Sequence, residues 1–79
     1  MDIRSIITID KDILGGIPVF AGTRVPVESL FDHLETGISL DDFLDDFPTV
    51  SRVQAIALLE AANKIMTSKN ITQLYEAVA

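Results

Sequence analysis

The chain contains no cysteine and no tryptophan, and its 79 residues include one histidine, one tyrosine and only six lysines and arginines together. Without thiols there is no disulfide, no zinc ribbon, no iron–sulfur cluster and no thiol nucleophile, so packing and hydrogen bonds must hold the fold. At this length a single core is only just adequate, which makes a partner chain an early expectation. No apolar run reaches bilayer length, and the N-terminal MDIRSIITIDKD is interrupted by Asp2, Arg4, Asp10 and Lys11. The expectation is a cytoplasmic protein with no membrane association.

Positive charge is scarce where nucleic-acid binding would need it. The formal net charge is −6, and no Lys or Arg lies between Arg24 and Arg52. That segment holds Glu28, Asp32, Glu35, Asp41, Asp42, Asp45 and Asp46, and so repels phosphate.

What is present reads as one domain over residues 1–66, made of a β and Gly/Pro arm (1–25) and three helices (26–66), followed by an amphipathic tail (67–79). The β-branched Ile6 to Asp10 predicts a short strand. Pro26 suits the first position of a helix in which Val27, Leu30, Phe31 and Leu34 face inward and Glu28, Asp32, His33 and Glu35 outward, with Gly37 as its stop. Ser39 and Asp42 predict a capped second helix with Leu40, Phe43, Leu44 and Phe47 inside, ended by Pro48. Ser51 with Gln54 is a capping box, and the helix it opens runs to about Met66. Ala55, Leu58, Leu59, Ala62, Ile65 and Met66 form one stripe of it, while Val53, Ile56 and Ala57 form a second apolar face suited to the bundle centre or another chain. In the tail, Ile71, Leu74, Tyr75 and Val78 keep helical spacing, though the segment is too short to be a stable helix alone.

Helix, short helix, three-residue turn and capped helix outline a helix-turn-helix. Its reading helix offers Ser51, Arg52 and Gln54 as candidate DNA contacts before it turns apolar. Arg52 at the first helical position opposes the helix dipole, so either chance or a phosphate contact places it there.

No catalytic constellation is found. Asp41, Asp42, Asp45 and Asp46 could pair along a helix around Mg²⁺, but a solvated acidic face accounts for them better. His33 has no Ser or Cys nucleophile beside it in any motif and reads as a surface residue. The stretch GGIPVFAGTRVPV lacks the Lys of a Gly-x-x-x-x-Gly-Lys phosphate loop. No enzyme activity, metal or cofactor is expected. Gly15, Gly16 and Gly22 permit tight turns, Pro18 and Pro26 fix φ, and Ile17, Val19, Phe20 and Val25 are apolar enough to cover the bundle or meet another copy. Arg24, after Thr23, either pins this arm to Asp10, Asp12 or backbone carbonyls, or reaches a phosphate or carboxylate of a partner.

The runs ITID, LGGIPVFAGTRVPV, LETGISLDDFLDDFP and VSRVQAIALLEAA together resemble the small prokaryotic domain of unknown function family numbered 433, over roughly residues 6–66. The elements Gly15, Gly16, Pro18, Gly22, Thr23 and Arg24 are the distinctive part, and Leu14 stands where that family often has Cys. The resemblance implies a mainly α, three-helix homeodomain-like helix-turn-helix bundle with a short N-terminal β segment. It also implies a VapB-like antitoxin whose partner is a PIN-like nuclease toxin, with a homodimer and operator DNA as further expected partners. An alternative is a helix-turn-helix transcriptional regulator without a toxin.

Overall fold

The computed structural model describes residues 2–78. It is mainly helical: α1 (Val27–Glu35), α2 (Leu40–Asp46), α3 (Arg52–Met66) and α4 (Lys69–Val78) follow a two-stranded antiparallel sheet of β1 (Ile7–Thr8) and β2 (Val19–Phe20). The three-helix expectation is therefore corrected to four helices among the described residues, because the 69–78 segment completes its own turns.

The strand expected over Ile6 to Asp10 shrinks to Ile7–Thr8, paired with Phe20 and Val19 respectively. Ile6 ends a 3-10 turn over Ile3–Ser5 and is buried, so its side chain serves the core rather than a longer ladder. Between the strands the chain reverses through a second 3-10 turn at Leu14–Gly16, where Gly15 has φ +74 and Gly16 φ +95. Leu14 before them is also left-handed at φ +50, and the larger positive angles at the next two positions favour residues without Cβ, which accounts for the Gly pair.

β2 continues into a hairpin that delivers the chain to α1. Phe20 donates to the Val25 carbonyl at 2.9 Å, Val27 donates to the Pro18 carbonyl at 3.1 Å, and Val19 bridges Pro26. Thr23 Oγ1 clamps the turn by donating to the Phe20 carbonyl at 2.9 Å and accepting from the Val25 amide at 3.0 Å. Because Pro26 belongs to this bridge its ψ stays extended at 137°, and it is the N-cap of α1 rather than the first helical residue.

The helix ends follow local chemistry. Gly37, at φ +85, stops α1. Ser39 Oγ accepts from the Asp42 amide at 3.1 Å, and both halves of the Ser51/Gln54 capping box are formed. The core gathers Ile6 from the first turn, Phe20 from β2, Leu30, Phe43, Ala55 and Leu58 from α1 to α3, and Val50 from the turn before α3, with Val19 also fully buried. Phe43 sits at its centre, 6.2 Å from the Phe20 ring and 4.9 Å from Phe47.

One inward and outward assignment fails. His33, expected on the outer surface, is only 23% exposed and stands edge-on to Phe43 at 5.3 Å and Phe47 at 5.5 Å. α2 crosses α1 on the His33 side and widens the buried stripe beyond the Leu30/Leu34 line. The ring Nδ1 donates to the Ser29 carbonyl at 2.7 Å, so its polar atom is satisfied within α1.

Candidate functional site

Three regions carry the residues singled out in the sequence, beginning with the N-terminus of α3. Ser51 Oγ accepts from the Gln54 amide at 3.1 Å, and Gln54 Oε1 accepts from the Ser51 amide at 3.0 Å. The other end of the same side chain, Nε2, donates to the Ala21 carbonyl at 2.8 Å. Gln54 thus ties α3 to the Gly/Pro arm across 33 positions of sequence, and both ends of its amide are committed within the fold. Arg52 pairs through its guanidinium with Asp41 in the first turn of α2. This supplies a third reason for a cation at that position: it bridges two helix N-termini, one of which opens on Asp41 and Asp42. Such an exposed pair contributes at most about 1 kcal/mol. Of the three candidate DNA contacts, Ser51 and Gln54 are therefore occupied as caps, and Arg52 must leave a carboxylate to meet a phosphate.

The second region is the arm. The expected anchor from Arg24 to Asp10 or Asp12 is not made: among the described residues Arg24 enters no ion pair and no side-chain hydrogen bond, and Asp10 Oδ1 instead accepts from the Asp12 amide at 2.9 Å. Thr23 and Gln54 do the pinning, with hydrogen-bonding groups already in place, so the guanidinium stays exposed. It rims a shallow cleft with Thr8, Ile13, Gly22, Thr23, Val25 and Thr49.

The third region is apolar. On α3, Val53 is 78% exposed and Ile56 is about half exposed, whereas Ala57 packs against the core and joins that surface only at its edge. Ile65 and Met66, expected at the end of the inward stripe, are exposed because the core stops at Leu58 and its neighbours. α4 has no buried residue: Ile71 is half-buried, and Leu74, Tyr75 and Val78 are exposed. Sequence periodicity found each of these residues, but could not tell which were covered by the chain's own core.

Among the described residues, no three His, Asp or Glu side chains converge to hold a metal ion. Nor is any described helix long and apolar enough to cross a membrane.

Among known proteins, the chain is similar to the uncharacterized protein y4eO of Sinorhizobium fredii (strain NBRC 101917 / NGR234), with 31% identity over 70 residues. The alignment covers 86% of this chain but 32% of that protein, so the chain spans about a third of the length of the curated relative it matches. No solved structure matches it. A family model described as protein of unknown function (DUF433) matches residues 7–61, from β1 into the second half of α3, and on that match the chain belongs to the DUF433 family.

Proposed function

We propose that the chain is the antitoxin of a type II toxin–antitoxin pair, a non-enzymatic cytoplasmic module that binds and neutralises a PIN-like ribonuclease. The observation that carries this reading is the surplus of exposed apolar side chains on α3 and α4. Val53 and Ile56 on one helix and Leu74, Tyr75 and Val78 on the next are too many to be isolated surface residues. Contact with another protein covers them at no cost to the fold. The acidic side chains of α1 and α2 complement the basic surface that any ribonuclease needs to hold RNA.

The test is co-expression with the neighbouring nuclease gene. Rescue from growth arrest is expected, and Val53→Asp with Ile56→Asp, or removal of residues 67–79, should weaken the complex. If rescue is untouched by all three changes, neither apolar surface binds the nuclease.

A second reading rests on α2, the Pro48 to Val50 turn and α3, which follow one another in the order of a helix-turn-helix, and takes the body to be homeodomain-like. On that reading the chain binds operator DNA, either while autoregulating its own operon or as a regulator with no toxin. A salt-sensitive mobility shift that Arg52→Ala weakens is then expected. Absence of any shift at low salt, with and without the nuclease, removes this reading.

A further inference from the structure

The two strands of the sheet differ in how fully their backbone is used. β2 is enclosed on both sides: Ala21 donates to the Ile6 carbonyl at 3.0 Å toward β1, while on the far side Phe20 donates to the Val25 carbonyl and Pro18 accepts from Val27. That alternation, with Ile7 opposite Phe20 and Thr8 opposite Val19, turns the backbone of Thr8 toward β2 and the amides and carbonyls of Ile7 and Ile9 away from it. Among the described residues these four groups have no hydrogen-bond partner. Ile3, Arg4, Ile7, Thr8 and Ile9 line a cleft along this outer edge, and Ile9 is 64% exposed. An open edge of β-branched residues without proline is a template for one more strand.

We propose that the open edge of β1 pairs antiparallel with β1 of a second copy about a two-fold axis at Thr8, so that Ile7 of each copy lies opposite Ile9 of the other. This register forms four hydrogen bonds and uses every free group on both edges. A register centred on Ile7 would need Ser5, whose amide is committed to the Asp2 carbonyl in the 3-10 turn, and one centred on Ile9 would need Lys11, which lies in the following turn. Charge singles out a second copy as the occupant. Arg4 flanks one end of the edge, and Asp10, Lys11 and Asp12, together acidic, flank the other. Among the described residues Arg4, Asp10 and Asp12 enter no ion pair within their own chain. Antiparallel self-pairing brings each basic end beside an acidic one, whereas a strand of a single sign would suit one end and repel the other. Because the far side of β2 is taken by the Val25 to Val27 segment, which passes straight into α1, the pairing closes at two chains.

The edge shares no residue with the exposed apolar surfaces of α3 and α4. Dimerisation through it is therefore independent of whether the nuclease reading holds, and leaves those surfaces open for another protein.

Sedimentation of the full chain up to millimolar concentration, with amide hydrogen exchange read by NMR, tests this without any nuclease. The wild-type chain should pass reversibly from monomer to dimer. As it does, exchange at the Ile7 and Ile9 amides should slow, while the Thr8 amide, already turned to β2, should exchange at a constant rate. Ile9→Pro deletes one outward donor on each copy and leaves the pairing with β2 intact, so it should weaken self-association at least about tenfold. Ile9→Asp, which keeps the backbone donor but sets a charge opposite Ile7, should weaken it as well, with circular dichroism showing an intact fold in both variants. Arg4→Glu should weaken the dimer several-fold at low salt and less at high salt. The proposal is overturned by a wild-type chain that stays monomeric, by a dimer that forms without protecting the Ile7 and Ile9 amides, or by one that survives both Ile9 substitutions. An Arg4→Glu chain that pairs as tightly as wild type at low salt overturns the antiparallel register. Protection of these amides by an added nuclease, but not by concentration, would give the edge to a strand of that partner and likewise overturn the proposal.

Discussion

Gln54 offers the most discriminating perturbation of the fold, because the rules of helix capping and the tertiary structure make opposite demands on it. At the third position of a helix opened by Ser, Glu serves a capping box as well as Gln does and is favoured by the helix dipole. By that logic Gln54→Glu is neutral or mildly stabilising. The structure predicts the reverse. Gln54 Nε2 donates to the Ala21 carbonyl at 2.8 Å, and a carboxylate has no hydrogen to give. The substitution loses one net hydrogen bond of about 1 kcal/mol, leaves a part-buried carbonyl unpaired, and brings two oxygens together, so it should cost at least about 1 kcal/mol despite the retained cap. Gln54→Ala loses the Ser51 amide contact as well, regains a few tenths through helix propensity, and should cost about 1.5 kcal/mol. A domain of this size has a total stability of about 4–12 kcal/mol, and a loss of 1 kcal/mol lowers its melting temperature by roughly 4–8 °C. Thermal and urea unfolding followed by circular dichroism resolve both changes. If Gln54→Glu melts at or above the wild-type temperature, the tie between α3 and the arm is absent in solution, and Gln54 is again free to read a base.

Phe43→Ala empties the centre of the core and should cost about 3–5 kcal/mol, enough to leave much of the chain unfolded at 37 °C; a cooperative melt near the wild-type temperature would refute the central placement of that ring. Gly37→Ala meets no atom within 4 Å, so backbone strain at φ +85 alone should cost about 1–2 kcal/mol in urea unfolding. Arg52→Ala should change unfolding free energy by less than about 1 kcal/mol, since its partner Asp41 is exposed, and a larger loss would mean the pair is buried in solution.

What the sequence made legible was chemistry acting over three or four residues. Ser39 with Asp42, Ser51 with Gln54, and the left-handed stop at Gly37 are all decided within one helical turn, and all three stand in the structure. What escaped were contacts fixed only once the elements had packed. Arg52 finds Asp41 across 11 positions, and Gln54 finds Ala21 across 33, and no periodicity encodes either. His33 fails for the same reason: its place on α1 was readable, but the side from which α2 approaches was not. In the arm, Arg24 was one of two readings as the anchor, yet the neutral hydroxyl of Thr23 and the amide of Gln54 hold the turn. A charge attracts interpretation in a sequence, whereas in a half-buried turn a neutral donor makes its bonds without the desolvation cost of a guanidinium. The family resemblance, carried by the Gly-Gly-x-Pro and Gly-Thr-Arg elements, was legible because these residues build one continuous piece of backbone.

The distribution of charge and apolar surface then constrains how the chain could engage two partners at once. Acidic side chains crowd α1 and α2, while most of the exposed large apolar residues, among them Val53, Ile56, Leu74, Tyr75 and Val78, belong to α3 and α4. If the partner is a basic nuclease, as the antitoxin reading has it, long-range attraction acts through one set of elements and desolvation through the other. Steering by charge raises association rates and fades with salt, whereas buried apolar contact mainly sets how slowly a complex comes apart. On the antitoxin reading, removing acidic residues such as Asp45 and Asp46 should slow capture of the nuclease, and charging Val53 or Ile56 should hasten its escape. Surface-binding kinetics at two salt concentrations separate the two effects. A Val53→Asp variant with slowed, salt-dependent association and unchanged dissociation would place the nuclease on the acidic helices instead, and leave the α3 face without an occupant.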